Sequence, residues 1–117
     1  MLIATFMVYG RNSMSKVLEL DDKNFTKEVK LSEQPVVLVD FYATWCGPCQ
    51  LQAPLIEEIA EEFDYVKVCK IDVDKAPKIT ARYGILSVPT VMVFSRGQIM
   101  NIQVGLQTKE NLRNMVL

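Results

Sequence analysis

Two cysteines three residues apart, Cys46 and Cys49, carry the strongest chemical signal in the chain. They lie in Trp45-Cys46-Gly47-Pro48-Cys49, where a nearly continuous apolar run ends and a helical period begins. One turn of separation lets two sulfurs bond or part without large backbone motion. Cys46 falls at the expected helix N-terminus, where free amides and the helix dipole favour an anion. The thiolate is the attacking species in thiol chemistry, so that position suits a nucleophile. Pro48 fixes its own φ at the helix start, where its missing N–H costs little. Gly47 leaves room for another chain to approach. Access sets the order of attack: Cys46 caps the helix and Cys49 points into its first turn.

The rest of the composition excludes competing chemistries. The 117 residues contain 3 cysteines and no histidine. Ser/His/Asp and Cys/His nucleophile schemes are therefore absent, as are His-ligated metal sites. A zinc or iron–sulfur site normally takes four Cys or His ligands, and one further cysteine does not supply them. A net charge of −1 argues against general binding to nucleic acid phosphates. Three cysteines are too few for a disulfide-stapled secreted scaffold. Half the residues are hydrophobic and 23% are charged, the balance of one ordered domain. No apolar stretch reaches the roughly 20 residues of a membrane-spanning helix. Residues 1–15 read as an N-terminal extension of uncertain role. Their apolar run lacks a preceding positive charge and a small-residue cleavage site, which argues against a secretory signal. Residues 16–117 form the domain.

The elements that must position the cysteines follow from periodicity. Residues 16–20 read as a strand and 24–30 as a short helix with Phe25 and Val29 on one face. Residues 36–42, VVLVDFY, are rich in β-branched and aromatic types and predict a central strand covered on both faces. After Cys46, Leu51, Leu55, Ile59 and Phe63 recur at steps of four, with Ile56 and Ala60 beside them, predicting a helix that Pro54 should kink. The glutamates of this helix read as a solvated face. A strand over 65–73 and a short helix over 76–83, stopped by Gly84, come next. Strands over 90–94 and 98–104 are joined by Ser95-Arg96-Gly97, a hairpin signal. A helix over 108–116 closes the order. Alternation followed by a hairpin implies an α/β fold, a mixed sheet with helices on both faces.

Asp40 is the one charge in the 36–42 strand. Burying a lone carboxylate raises its pKa, and such a group near two thiols can move protons. A structural ion pair with Lys70 on a neighbouring strand is the other reading, and the two are compatible. Cys69 reads as a small buried hydrophobe. Trp45 reads as a core aromatic or as a contact surface beside the thiol, and Gly105 as a turn glycine or as part of a docking face.

The segment VVLVDFYATWCGPC resembles the active-site segment of the thioredoxin family. YGILSVPTVMVF, with Val104-Gly105, resembles that family's second landmark. The likeness covers roughly residues 16–117. It implies a thioredoxin fold, with about five strands in a mixed sheet and about four helices. It implies reduction of protein disulfides by dithiol–disulfide exchange, with Cys46 as nucleophile, Cys49 as resolving thiol and Asp40 as proton carrier, partnered by Lys70. It makes Val88-Pro89 a cis bond facing the sulfurs and groups Trp45, Gly47, Pro48, Val88, Pro89, Thr90 and Gly105 as the active-site loop and docking surface. No bound cofactor is expected. Recycling by a flavin-containing thioredoxin reductase drawing on NADPH is implied, with disulfide-containing proteins as substrates, a monomeric state and a cytoplasmic location. Two other readings remain: an oxidase or isomerase, which the Gly47-Pro48 pair disfavours by the same resemblance, and a binding module using the fold as a scaffold.

Overall fold

The structure, a computed structural model, describes residues 15–117, so all but Ser15 of the expected N-terminal extension lies outside the described residues. Among the described residues, five strands and four helices follow one another in the order the periodicity predicts. They are β1 (Leu18–Leu20), α1 (Thr26–Lys30, a single wide π turn), β2 (Val36–Tyr42), α2 (Gly47–Glu62), β3 (Val66–Asp72), α3 (Pro77–Arg82), β4 (Thr90–Ser95), β5 (Gln98–Val104) and α4 (Lys109–Val116). The sheet order is β1-β3-β2-β4-β5. β3 runs parallel to β1 and β2, whereas β4 runs antiparallel to β2 and β5.

β2 is the centre of this sheet because its apolar residues supply both faces. Val37, Val39 and Phe41 join Phe25, Val29, Ile79 and Phe94 in one core, under α1 and α3. Leu38 joins Ile56, Ile59, Val68, Val93 and Leu112 in the other, under α2 and α4. Side chains alternate along a strand. Asp40 therefore shares the Leu38 face and is carried beneath α2, where the cysteines begin.

α2 is continuous through Pro54, with Cys46 as its N-cap. Of the expected stripe, Ile56, Ile59, Ala60 and Phe63 are buried, whereas Leu55 is half-buried and Leu51 is on the surface. Cys49, Gln52, Ile56, Ile59 and Ala60 face inward, and Leu51 is 66% exposed. The steps of four that start from Leu51 drift about 40° per step against a 3.6-residue turn, so Leu51 leaves the buried side. The actual stripe alternates steps of three and four and admits a glutamine. The acidic face is partly paired rather than only solvated. Glu58 meets Lys109 and Glu62 meets Arg113, each at 2.9 Å, which ties α2 to α4. Thr108 caps α4 by accepting the Asn111 N–H at 3.0 Å. Gly84, at φ +62°, ends α3 as expected. Among the described residues, no helix is long and apolar enough to cross a membrane.

Candidate active site

Cys46 and Cys49 are joined as a disulfide, with their Cα atoms 5.3 Å apart. The Cys49 backbone N–H donates to Cys46 Sγ at 3.2 Å, so the sulfur itself occupies the capping position of α2. The same amide stands ready to stabilise a Cys46 thiolate once the bond opens. Pro48 lies in the first turn, and a Cβ on Gly47 would meet nothing within 4 Å. That open side leaves room beside Gly47, while Cys46 and Cys49 are themselves 5% and 3% exposed. Both cysteines pack against Ala43, with Tyr42, Val73 and Val88 around them.

Asp40 lies below the pair. It is buried, and burial pushes its carboxyl up to about 7, opposed by the Gln52 hydrogen bond and by the Lys70 charge. Asp40 and Cys49 line one cavity of about 160 Å³, together with Tyr42, Ile56, Glu57 and Lys70. The expected direct Asp40–Lys70 ion pair is replaced. The two residues are register neighbours across β2 and β3. The Lys70 ammonium nevertheless pairs with Glu19 at 3.8 Å and lies 5.7 Å from the centre of the Tyr42 ring. Tyr42 donates its hydroxyl to the same Glu19 carboxylate at 2.9 Å. Asp40 instead accepts from Gln52 Nε2 at 3.2 Å. Lys70 thus acts on Asp40 as a nearby charge, not as a bonded partner.

The second landmark borders the first. The Val88–Pro89 bond is cis, as the resemblance implied. The Val88 carbonyl oxygen lies 3.7 Å from Cys46 Sγ. The Thr90 hydroxyl donates to the Ser87 carbonyl at 2.8 Å and braces the turn. Gly105, at φ +93°, donates its N–H to the Pro89 carbonyl at 2.8 Å. Few side chains tolerate that backbone region, so the turn reading of Gly105 holds, and the residue also adjoins Pro89. Trp45 is 70% exposed, which rules out the core reading, and its Nε1 donates to Asp74 at 2.8 Å. A groove beside it is walled by Val73, Ile85, Leu86 and Val88. Cys69 is fully buried, and burial pushes its thiol up to about 12.

Sequence reasoning missed four contributors. Gln52 was legible only from the true helical phase, three residues past Cys49. Leu86 lies inside the second landmark, just before Ser87-Val88-Pro89, and is almost fully exposed. Glu19 and Asp74 carry no local signal, because their roles come from partners 23 and 29 residues away. Among the described residues, no group of three or more acidic or cysteine side chains is placed to hold a metal ion.

Comparison with known proteins agrees with this geometry. The family model described as "Thioredoxin" matches residues 16–117. "Thioredoxin 1" of Synechococcus elongatus is 45% identical over 102 residues, covering 86% of this chain and 94% of the relative. "Thioredoxin" of Rickettsia bellii is 48% identical over 92 residues, covering 78% and 87% of the two chains. The solved structure of a mutant thioredoxin from Halobacterium salinarum superposes with a TM-score of 0.79 at 37% identity, covering 87% of this chain and 89% of that one.

Proposed function

The chain belongs to the thioredoxin family, and from that premise we propose that its Cys46–Cys49 pair works in the reducing direction on other proteins. The pair is redox-active, and its chemistry is dithiol–disulfide exchange. Cys46 attacks a substrate sulfur and forms a mixed disulfide. Cys49 then attacks Cys46, the substrate leaves reduced, and the Cys46–Cys49 bond remains. The observation that carries Cys46 as the attacking sulfur is the Cys49 N–H that caps its Sγ at 3.2 Å and favours negative charge there; the reducing direction is read from the thioredoxins this chain resembles.

Asp40 is the proton carrier for Cys49. Lys70 tunes it by its charge. Trp45, Gly47, Pro48, Val88, Pro89, Thr90 and Gly105 make the docking surface, and an extended substrate segment pairs with the Val88 backbone beside Cys46. The domain spans residues 16–117, with residues 1–15 as an extension. The protein works as a cytoplasmic monomer without a prosthetic group. A flavin-containing thioredoxin reductase using NADPH returns the disulfide to the dithiol, and disulfide-containing proteins are the substrates.

The test is insulin disulfide reduction by the purified protein. Activity lost in Cys46→Ser, with mixed disulfides trapped by Cys49→Ser, supports the reading. Trapping by Cys46→Ser instead reverses the order of attack. A strongly oxidising reduction potential of the pair would sink the reducing direction.

A further inference from the structure

Gln52 is a fully buried amide on the inner face of α2, and both of its ends are engaged. Its Oε1 accepts the backbone N–H of Gln107 at 2.8 Å. Its Nε2 donates to Oδ1 of Asp40 at 3.2 Å. A backbone N–H can only donate, so Gln107 dictates which end of the amide faces it. The end left for Asp40 is the NH₂ group, which cannot accept. A proton on Oδ1 would meet another donor, whereas a lone pair there is satisfied. Gln52 therefore distinguishes the two carboxyl oxygens.

Oδ2 has no hydrogen-bond partner among the described residues, and no fully buried polar side-chain atom among them lacks one. Oδ2 thus keeps access to open space, and Asp40 lines the cavity it shares with Cys49. The other groups facing Asp40 are Lys70 from β3, Cys49 and Glu57 from α2, and Tyr42 from its own strand. β4 sets Val91 opposite it. None of these hydrogen-bonds the carboxyl.

We propose that Gln52 is a positioning residue for the exchange reaction: it holds Oδ1 of Asp40 as an acceptor and leaves Oδ2 as the oxygen that takes up the Cys49 proton. The inference rests on Asp40 as the proton carrier. In the resolving step the Cys49 thiol gives its proton to Oδ2. The freed sulfur lone pair forms the bond to Cys46. The bond from Cys46 to the substrate sulfur breaks, and its electron pair leaves with the substrate as a thiolate. The Oδ2 proton then passes to that thiolate or to water. Nothing is oxidised beyond the pair itself, and nothing is reduced beyond the substrate disulfide.

A second chain of bonds links this oxygen choice to the docking turn. The Gln107 side-chain amide donates to the Gly105 carbonyl at 3.0 Å, and the Gly105 N–H holds the Pro89 carbonyl at 2.8 Å. Gln52 thereby joins the buried carboxyl to the strand end beside Cys46.

The test follows the Asp40 carboxyl carbon by NMR across pH in the oxidised protein. In parallel, the pH dependence of substrate release from the mixed disulfide is measured. Gln52→Met keeps the length and removes the donor. It should move the Asp40 midpoint up by about one unit, the value of a hydrogen bond to a charged group. The release profile should move up with it. Gln52→Glu places an acceptor and a like charge there and should move both further up. It also stands in should Gln52→Met fail to fold. A merely structural role would lower the melting temperature and leave the midpoint in place. An unmoved midpoint in either folded variant overturns the proposal. Asp40→Asn separates the two levels. If its release profile is unchanged, Asp40 as proton carrier falls. If that profile changes but Gln52→Met leaves it alone, the positioning role falls by itself.

Discussion

Lys70 stands opposite Asp40 in the register of β2 and β3, and its ammonium pairs with Glu19 at 3.8 Å. The buried carboxyl is therefore flanked by a cation that another carboxylate draws aside. Tyr42, bonded to Glu19 through its hydroxyl, completes the arrangement. Replacing Glu19 with Gln removes a negative charge and releases Lys70, and both changes favour an ionised Asp40. The Asp40 midpoint should fall by roughly 0.2–0.7 unit, the scale of a half-exposed ion pair. Lys70→Met should raise it. Carboxyl-carbon NMR titrations of the two variants check the signs, and equal shifts in one direction would refute the arrangement.

Stability should depend on pH through Asp40. Its folded pKa, about 7, lies above the ordinary aspartate value of 3.8. Between those values the folded state holds a proton that the unfolded state has lost. Stability from this group is therefore full below the lower value and is lost as pH rises toward 7. Three units correspond to at most ~4 kcal/mol. Asp40→Asn should flatten the dependence and melt higher than the parent at pH 8. Thermal unfolding at pH 5 and pH 8 decides this, and an equal pH slope in both proteins would contradict it.

Cys69 should be chemically silent. It is fully buried and its thiol is pushed up to about 12. After reduction, alkylation of the native protein at pH 8 should label Cys46 first and leave Cys69 unlabelled. Label on Cys69 should appear only on unfolding, as read by mass spectrometry. Native labelling of Cys69 would show that its strand opens.

Gly105→Ala separates backbone strain from crowding. At φ +93°, an added Cβ would meet nothing within 4 Å. The cost is then conformational, about 1–2 kcal/mol. Denaturant unfolding measures it. The methyl group would stand on the proposed docking surface, so insulin reduction should slow more than the stability loss explains.

Asp74 anchors the only tryptophan of the chain. Its carboxylate accepts the Trp45 indole N–H at 2.8 Å. Asp74→Ala should free the ring, change its fluorescence and raise KM for insulin roughly two- to tenfold, the worth of one hydrogen bond. The rate toward a small aromatic disulfide should stay nearly constant, since that substrate needs little docking surface. An unchanged KM would leave the anchor without a role in docking.

Most of the architecture was legible because periodicity is local. VVLVDFY had to be a strand covered on both faces, and it took those bounds as β2. Ser95-Arg96-Gly97 had to turn, and β4 and β5 meet there. Sheet order was not legible, because hydrogen bonds between strands join residues far apart in sequence. The phase of α2 was blurred for a different reason. Leu51 is as apolar as Ile56, and only the surface beneath the helix decides which of them is buried.

The sequence by itself determined the dithiol. Cys46 and Cys49 must lie one turn apart wherever a helix starts at that point, and Asp40 must be buried in any strand so apolar. Tertiary structure decided how the carboxyl is held. Gln52 reaches Asp40 from another element, Glu19 takes Lys70 from a strand on the sheet edge, and Gly105 meets Pro89 through a hairpin. Those contacts depend on distance in space and on the direction of donors and acceptors. Composition and spacing along the chain do not encode either one.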